Sequence, residues 1–464
     1  MESTYTLKDL PTAPAAAATQ NACKLCSPLG AALVFKGIAG AVPLLHGSQG
    51  CSTYIRRYLI SHFKEPADVA CSNFGEQTAI FGGGANLKMA LDNIIAQYDP
   101  AMIGVATTCL AETIGDDVPM FIREYRASHA PDALPPIVHA STPSYQGTHM
   151  QGFHEAVRAT VVALAVPDAT ASSEARVNLF PGMVSPADLR HLRQIVSDFG
   201  LIPMVLPDYS DTLDGGLWAE YHRIPAGGTS VAAIAESGTA AASIEMGRGL
   251  ARMPDTAATH LSARFGVPVH RLGMPIGIHQ TDRLMAALAT ISGLDIPAHH
   301  QQARGRLLDA LVDGHKIVNT VKAAVYGEVD LVAGLVEFFS ETGIVPVICA
   351  TGDKGGHLKG VVADILNDRN RDAVRVMEGA DFVDIEDAVR DAAPDILIGH
   401  SKGYSLARKL DIPLVRVGFP VHDRVGGGRF LHVGYDGAQA LFDRIANALI
   451  ERRQGGSDVG YTYM

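Results

Sequence analysis

The sequence predicts an α/β protein made of three doubly wound, Rossmann-like domains with parallel sheets. Three observations carry that expectation. The chain has 464 residues, which at ~150 residues per domain is too long for one core and divides into about three. From residue 22 onward, short apolar runs alternate with amphipathic stretches of helical period, the pattern of strands covered by helices. Many of the apolar runs end in turns rich in Gly, Ser or Thr, the chemistry that strand-to-helix connections require.

Residues 1–22, with "PTAPAAAATQ", show little periodic signal and read as an N-terminal arm. The first domain, 23–170, opens with "PLGAALVFKG" as a helix and "AVPLL" as a strand leading into "HGSQG" and a helix that starts near Cys51. "AMIGVATT" reads as a strand, and "DDVPMFIREYRA" as a helix capped by Asp116 or Asp117 with Pro119 in its first turn. "PPIVHAS" is the next strand and "FHEAVRATVVALAV" the next helix. A polar break at "PDATASSEAR" leads into the second domain, 171–310. There "RVNLFPG" and "LIPMVLPD" are strands flanking the helix "SPADLRHLRQIVSDFG", with Ser185 as cap and Gly200 as stop. In the third domain, 311–464, "KAAVYGEVDLVAGLVEFFSETG" is a strand-turn-helix unit, followed by "IVPVICATGD", "PDILIGHSKGYSLARKLD" and "IPLVRVGFPVHD".

Composition excludes several function classes. A formal net charge of −11 gives no electrostatic footprint for nucleic acid or an anionic membrane. No apolar run approaches the ~20 residues of a bilayer span, and no signal peptide opens the chain, so a cytoplasmic location is expected. The glycine run "FGGGANLKMALDN" lacks the G-x-x-x-x-G-K-[ST] pattern of a phosphate loop, so ATP hydrolysis by this chain is not expected. Eighteen histidines include no H-E-x-x-H spacing and read as surface or core residues.

The cysteines carry the chemistry. Five of six, Cys23, Cys26, Cys51, Cys71 and Cys109, fall in the first quarter of the chain, a clustering that points to metal or redox chemistry rather than a disulfide framework. Cys51 follows a strand and a Gly-rich turn and stands at a helix start, where the helix dipole and free backbone N–H groups favour a thiolate. Gly47 and Gly50 beside it would let the backbone approach a bulky ligand. Cys109 repeats the arrangement ahead of Glu112, and Cys26 precedes another helix start. Ligands collect at the carboxyl ends of parallel strands, so these three thiols can converge on one centre. Three thiolates suit an iron–sulfur cluster better than a closed zinc site, which wants four protein ligands. Separately buried cysteines remain the alternative, and Cys23 with Cys26 spells a C-x-x-C dithiol. Cys71 has no matching turn, Cys349 in "VPVICA" reads as core, and "GHSKG" at 399–403 reads either as an anion site or as a plain strand-to-helix turn.

At these residues the chain resembles the β subunit of the nitrogenase catalytic component and its relatives. The similarity rests on "CSPLGA" at Cys26, "HGSQGCSTYIRRYLISHFKEP" from His46, "FGGGANL" from Phe81 and "TTCLAETIGDD" from Thr107. It continues through "STPSYQGTH" from Ser141, "PDILIGHSKG" from Pro394 and "IPLVRVGFPVHDR" from Ile412. The resemblance implies pairing with a homologous α subunit in an α2β2 heterotetramer. It implies Cys26, Cys51 and Cys109 as the β-side ligands of an eight-iron P-cluster, [8Fe-7S], shared with that subunit. Ser144 matches a serine that joins the oxidised cluster, and Tyr54 an aromatic residue beside it. The resemblance further implies electron supply from a separate ATP-hydrolysing iron protein, with the substrate-reducing cofactor held by the α subunit.

Within the family, three branches are weighed. Molybdenum nitrogenase β subunits usually carry a longer N-terminal extension, and the vanadium and iron-only forms a Trp-bearing tail, whereas this chain ends in "GSDVGYTYM" with Trp218 its one tryptophan. The β-like subunit of the cofactor-assembly scaffold, which holds a [4Fe-4S] cluster, typically lacks the counterparts of Cys26 and Cys109. The nitrogenase-like methylthio-alkane reductase combines an intact cysteine set with neither extension, and the resemblance to that branch implies C–S cleavage of small organic sulfur compounds.

Overall fold

The computed structural model describes residues 20–130, 133–166, 173–366 and 374–458. The arm before residue 20, the core of the polar break at 167–172 and the final six residues lie outside the described residues.

Three wholly parallel sheets follow one another along the chain. The first contains β1 (Ala41–His46), β2 (Ala70–Cys71), β3 (Met102–Thr107) and β4 (Ile137–Ala140), in the order β2-β1-β3-β4. The second contains β5 (Ser173–Phe180), β6 (Ile202–Val205), β7 (Ala240–Met246) and β8 (Val269–Leu272), in the order β6-β5-β7-β8. The third contains β9 (Lys322–Tyr326), β10 (Val345–Ala350), β11 (Arg375–Met377), β12 (Ile396–Gly399) and β13 (Leu414–Arg416), in the order β11-β10-β9-β12-β13. Each sheet starts at an interior strand and grows outward on both sides, the doubly wound arrangement that the alternating pattern predicts. Its consequence is a switch point between β1 and β3, between β5 and β7, and between β9 and β12, where connections leave in opposite directions and open a crevice.

Local chemistry places the helices. Asp117 caps Val118–Ala127 by accepting from the Met120 N–H at 2.8 Å, with Pro119 in the first turn. Ser185 and Asp188 form a capping box on Pro186–Asp198. The helix expected from Phe153 begins earlier, at His149, because Thr148 and Gln151 form another capping box. Helix Ser27–Lys36 is buried along its whole length, as an all-round apolar helix must be. It crosses His149–Leu164 at two glycines: a Cβ on Gly30 would lie 1.7 Å from the His149 carbonyl oxygen, and one on Gly152 would lie 1.9 Å from that of Ser27. This close crossing fixes the start of the first helix, and therefore Cys26, against the first sheet. Among the described residues no helix is long and apolar enough to cross a membrane.

Candidate metal centre

β1 and β3 pair in register from Ala41↔Met102 to His46↔Thr107, so their carboxyl ends lie side by side at the first switch point. The turn after β1 puts Cys51 in the first turn of helix Gln49–Phe63, and the turn after β3 puts Cys109 at the start of Cys109–Ile114. Cys26 is the N-cap of Ser27–Lys36. Gly47 serves this geometry differently from the sequence expectation: its Cβ would sit 2.0 Å from the Thr108 Oγ1, so the glycine lets the two cysteine-bearing turns approach each other. Gly50 faces open space, with Ser48 Oγ its nearest neighbour at 3.9 Å from the position of a Cβ.

Ser144 ties two of the turns together. Its N–H donates to Cys109 Sγ at 3.2 Å and its Oγ accepts from the Ser27 N–H at 3.0 Å, next to Cys26. Tyr54 stands one helical turn beyond Cys51, and the Ser48 hydroxyl donates to Cys51 Sγ at 3.6 Å. Burial pushes the Cys26 thiol up, the Ser144 and Tyr54 hydrogen bonds pull it down, and the Cys109 and Cys51 thiols push it up again. Among the described residues, only Asp198, His299 and His300 gather three ligand atoms within 4.8 Å of one another. The cysteine thiols are spread more widely, beyond the ~3.8 Å edge of a single tetrahedral ion with Zn–S bonds of about 2.3 Å. That spread, and an all-thiol donor set at helix starts, fits a multi-iron cluster.

All three thiols are partly exposed, as is Ser144. Helix Glu76–Phe81 packs against Cys109–Ile114 and carries Ile80 and Phe81, 74% and 83% exposed, while Tyr145 and Leu110 are also exposed nearby in sequence to the site. The donor set is thus open on one side and flanked by apolar surface.

The segment leading to Cys26 is held from the third sheet. Lys402, in the "GHSKG" turn after β12, donates through Nζ to the carbonyls of Ala22 at 2.8 Å and Lys24 at 3.1 Å. His149 Nδ1 accepts from the Leu25 N–H at 3.2 Å, and its Nε2 lies 2.6 Å from a Glu328 carboxylate oxygen. Of the two readings of "GHSKG", the strand-to-helix turn holds, with its lysine spent on backbone carbonyls. Sequence reasoning missed Lys402 and His149 because their partners lie more than 100 residues away; the lysine inside a strand-end turn was the available signal.

The other cysteines separate from the trio. Cys23 is buried and its thiol is pushed up to about 12 by that burial, which removes the reactive-dithiol reading of C-x-x-C. Cys349 lies fully buried in β10, as expected of a core residue. Cys71, for which the sequence offered no turn, ends β2 beside Leu45 at the same sheet edge as the trio.

Three parallel α/β units with three cysteines at helix starts around the first switch point define an α/β protein with a candidate thiol metal site. Residues 26–450 match the family described as Nitrogenase component 1 type Oxidoreductase, and the chain belongs to that family as a β-chain-like member. It is 34% identical over 432 residues to the nitrogenase molybdenum-iron protein beta chain of Clostridium pasteurianum, covering 93% of each chain. It is also 34% identical over 447 residues to the nitrogenase iron-molybdenum cofactor biosynthesis protein NifN of Bradyrhizobium diazoefficiens, covering 96% of this chain and 92% of that one. A solved structure of nitrogenase Cp1 at pH 6.5 superposes with a TM-score of 0.92 at 32% identity over 98% of both chains. The expected oxidoreductase subunit and its fold are borne out. The Clostridium β chain is matched over 93% of its own length, so little of that relative lies outside the match.

Proposed function

We propose that this chain is the β subunit of a nitrogenase-like reductase, with Cys26, Cys51 and Cys109 as its ligands to an iron–sulfur cluster shared with a homologous α subunit in an α2β2 assembly. The observation that carries the reading is Ser144, which bonds Cys109 Sγ through its N–H and the Ser27 N–H, next to Cys26, through its Oγ at the switch point of β1 and β3. The cluster, the [8Fe-7S] P-cluster of the family resemblance, would supply one-electron storage and transfer between an ATP-hydrolysing iron protein and the α subunit. Helix starts orient the three thiols, Ser144 fixes the spacing of two of the cysteine turns, and Tyr54 supplies an aromatic wall beside the cluster. The exposed Ile80, Phe81 and Tyr145 supply apolar surface for the α subunit to cover. A division into an arm 1–22 and domains 23–170, 171–310 and 311–464 belongs to the same reading, supported by the one parallel sheet in each domain.

For substrate we propose methylthio-alkanes, cleaved reductively at C–S, on the strength of the intact cysteine set and the family resemblance. A scaffold role in cofactor assembly is the second reading, favoured by the similarity to the NifN relatives, and dinitrogen reduction the third, favoured by the molybdenum-iron β chains. The test is the complex of this chain with its α partner, assayed with the iron protein on methylthio compounds and dinitrogen, and separately for transfer of a cofactor precursor to an apo-enzyme. Cys51→Ala is expected to abolish cluster iron and turnover. Full turnover by a Cys51→Ala complex without cluster iron contradicts the proposal, and precursor transfer without turnover replaces it by the scaffold reading.

A further inference from the structure

Far from the cysteine trio in sequence, two helix ends meet in a second group of ligand-type side chains. Asp198 is the last residue of Pro186–Asp198, and His299 and His300 lie in the first turn of Ala298–Val318. The Nε2 atoms of both histidines lie 2.9 Å from one oxygen, Asp198 Oδ2. We propose that Asp198, His299 and His300 form a mononuclear site for a divalent first-row transition ion, best satisfied by Zn2+.

Three observations support it. All three ligand atoms fall within 4.8 Å of one another, and the 2.9 Å separations need open only slightly to reach the ~3.3 Å edge of a tetrahedron with bonds of 2.0–2.1 Å. His300 is 95% buried, and its Nε2 is aimed at Asp198 Oδ2 at 2.9 Å. The ligands are also held in place from outside: Gln194 Nε2 donates to Asp198 Oδ1 at 2.7 Å, leaving Oδ2 for the ion, and the Phe199 ring stacks on His300 at 6.3 Å and 11°.

Two imidazoles and one carboxylate select zinc-like ions over Ca2+, which takes six to eight oxygens. Three protein ligands leave a position for water, and His299, 59% exposed along its side chain, provides access. Because Asp198 and the histidine pair come from separate helices, the ion would staple the helix after β5 to the long helix that precedes β9.

The test uses the complex with its cluster iron intact, stripped with a chelator and titrated with Zn2+ against a chromophoric competitor, with metal per chain read by mass spectrometry. The unsubstituted chain is expected to hold one zinc that excess Ca2+ does not displace. Asp198→Asn and His299→Ala should each weaken binding by about 100-fold or more and Gln194→Ala by about 10- to 100-fold, with cluster iron unchanged. The exposed His299 keeps the test independent of folding. Absence of retained zinc, displacement by Ca2+, or equal zinc affinity in the Asp198→Asn and His299→Ala chains overturns the proposal.

Discussion

The substitution Gly152→Ala tests how the fold holds Cys26. Gly152 lies on the helix that crosses the one starting at Ser27, and an added Cβ would sit 1.9 Å from the Ser27 carbonyl oxygen and 2.6 Å from its carbon. Ordinary non-bonded contacts begin near 3.5 Å, so the helices must part by about 1.5 Å or distort. Overpacking of this kind costs about 1–3 kcal/mol. The larger consequence is positional, because Ser27 is bonded to Cys26, whereas Cys51 and Cys109 stay fixed to β1 and β3. Binding constellations tolerate errors of about 0.5 Å, so the shift exceeds that tolerance about threefold. Gly152→Ala is therefore expected to lower both the melting temperature and the cluster iron of the complex. Gly455→Ala, at a helical glycine with nothing within 4 Å of the added atom, should change neither. A Gly152→Ala complex with unaltered melting temperature and iron content refutes the reasoning.

Lys402→Met leaves the Ala22 and Lys24 carbonyls without their donor and is expected to cost about 1–3 kcal/mol with partial loss of iron, measured by chemical denaturation and iron assay. Cys349→Ser puts a hydroxyl into the fully buried β10 position and should destabilise by a similar ~1–3 kcal/mol while leaving iron unchanged, which separates core from cluster cysteines. Stability should also fall in acid. Burial lowers His62 to about 3 and His154 to about 4, so from pH 6.5 downward these groups take up protons more readily in the unfolded chain. Asp330 is raised to about 6 by burial and acts in the opposite sense, its stabilisation present below pH ~3.9 and lost as pH rises through 6. Near pH 5 the unfolded chain thus binds about one proton more from these three groups, a loss of about 1.4 kcal/mol per pH unit, to be read from denaturation midpoints between pH 6.5 and 4.5.

Most of the fold was legible in the sequence because parallel sheets buried on both faces write near-continuous apolar runs, and because caps such as Asp117 and Ser185 mark helix starts within a few residues. The start at His149 was missed since its cap, Thr148, precedes a stretch with little periodicity. The cysteine turns were legible for a related reason: a strand, a glycine turn and a helix start are all local. What joins them was not. Ser144 as the link between Cys26 and Cys109, Gly47 as the contact point with Thr108, and Lys402 as the clamp on the Cys26 segment each depend on pairs distant in sequence. The pairing of β1 with β3, the seating of helix Ser27–Lys36 against the first sheet and the contact of the third sheet with the Cys26 segment create those pairs.

The central claim is that Cys26, Cys51 and Cys109 together hold one cluster. The most direct measurement is iron content and EPR of the complex with its α partner, reduced and then oxidised, with and without Cys109→Ala. An oxidised-state signal of an eight-iron cluster that disappears with Cys109→Ala is the expected result. A four-iron signal that survives Cys109→Ala unchanged contradicts the claim.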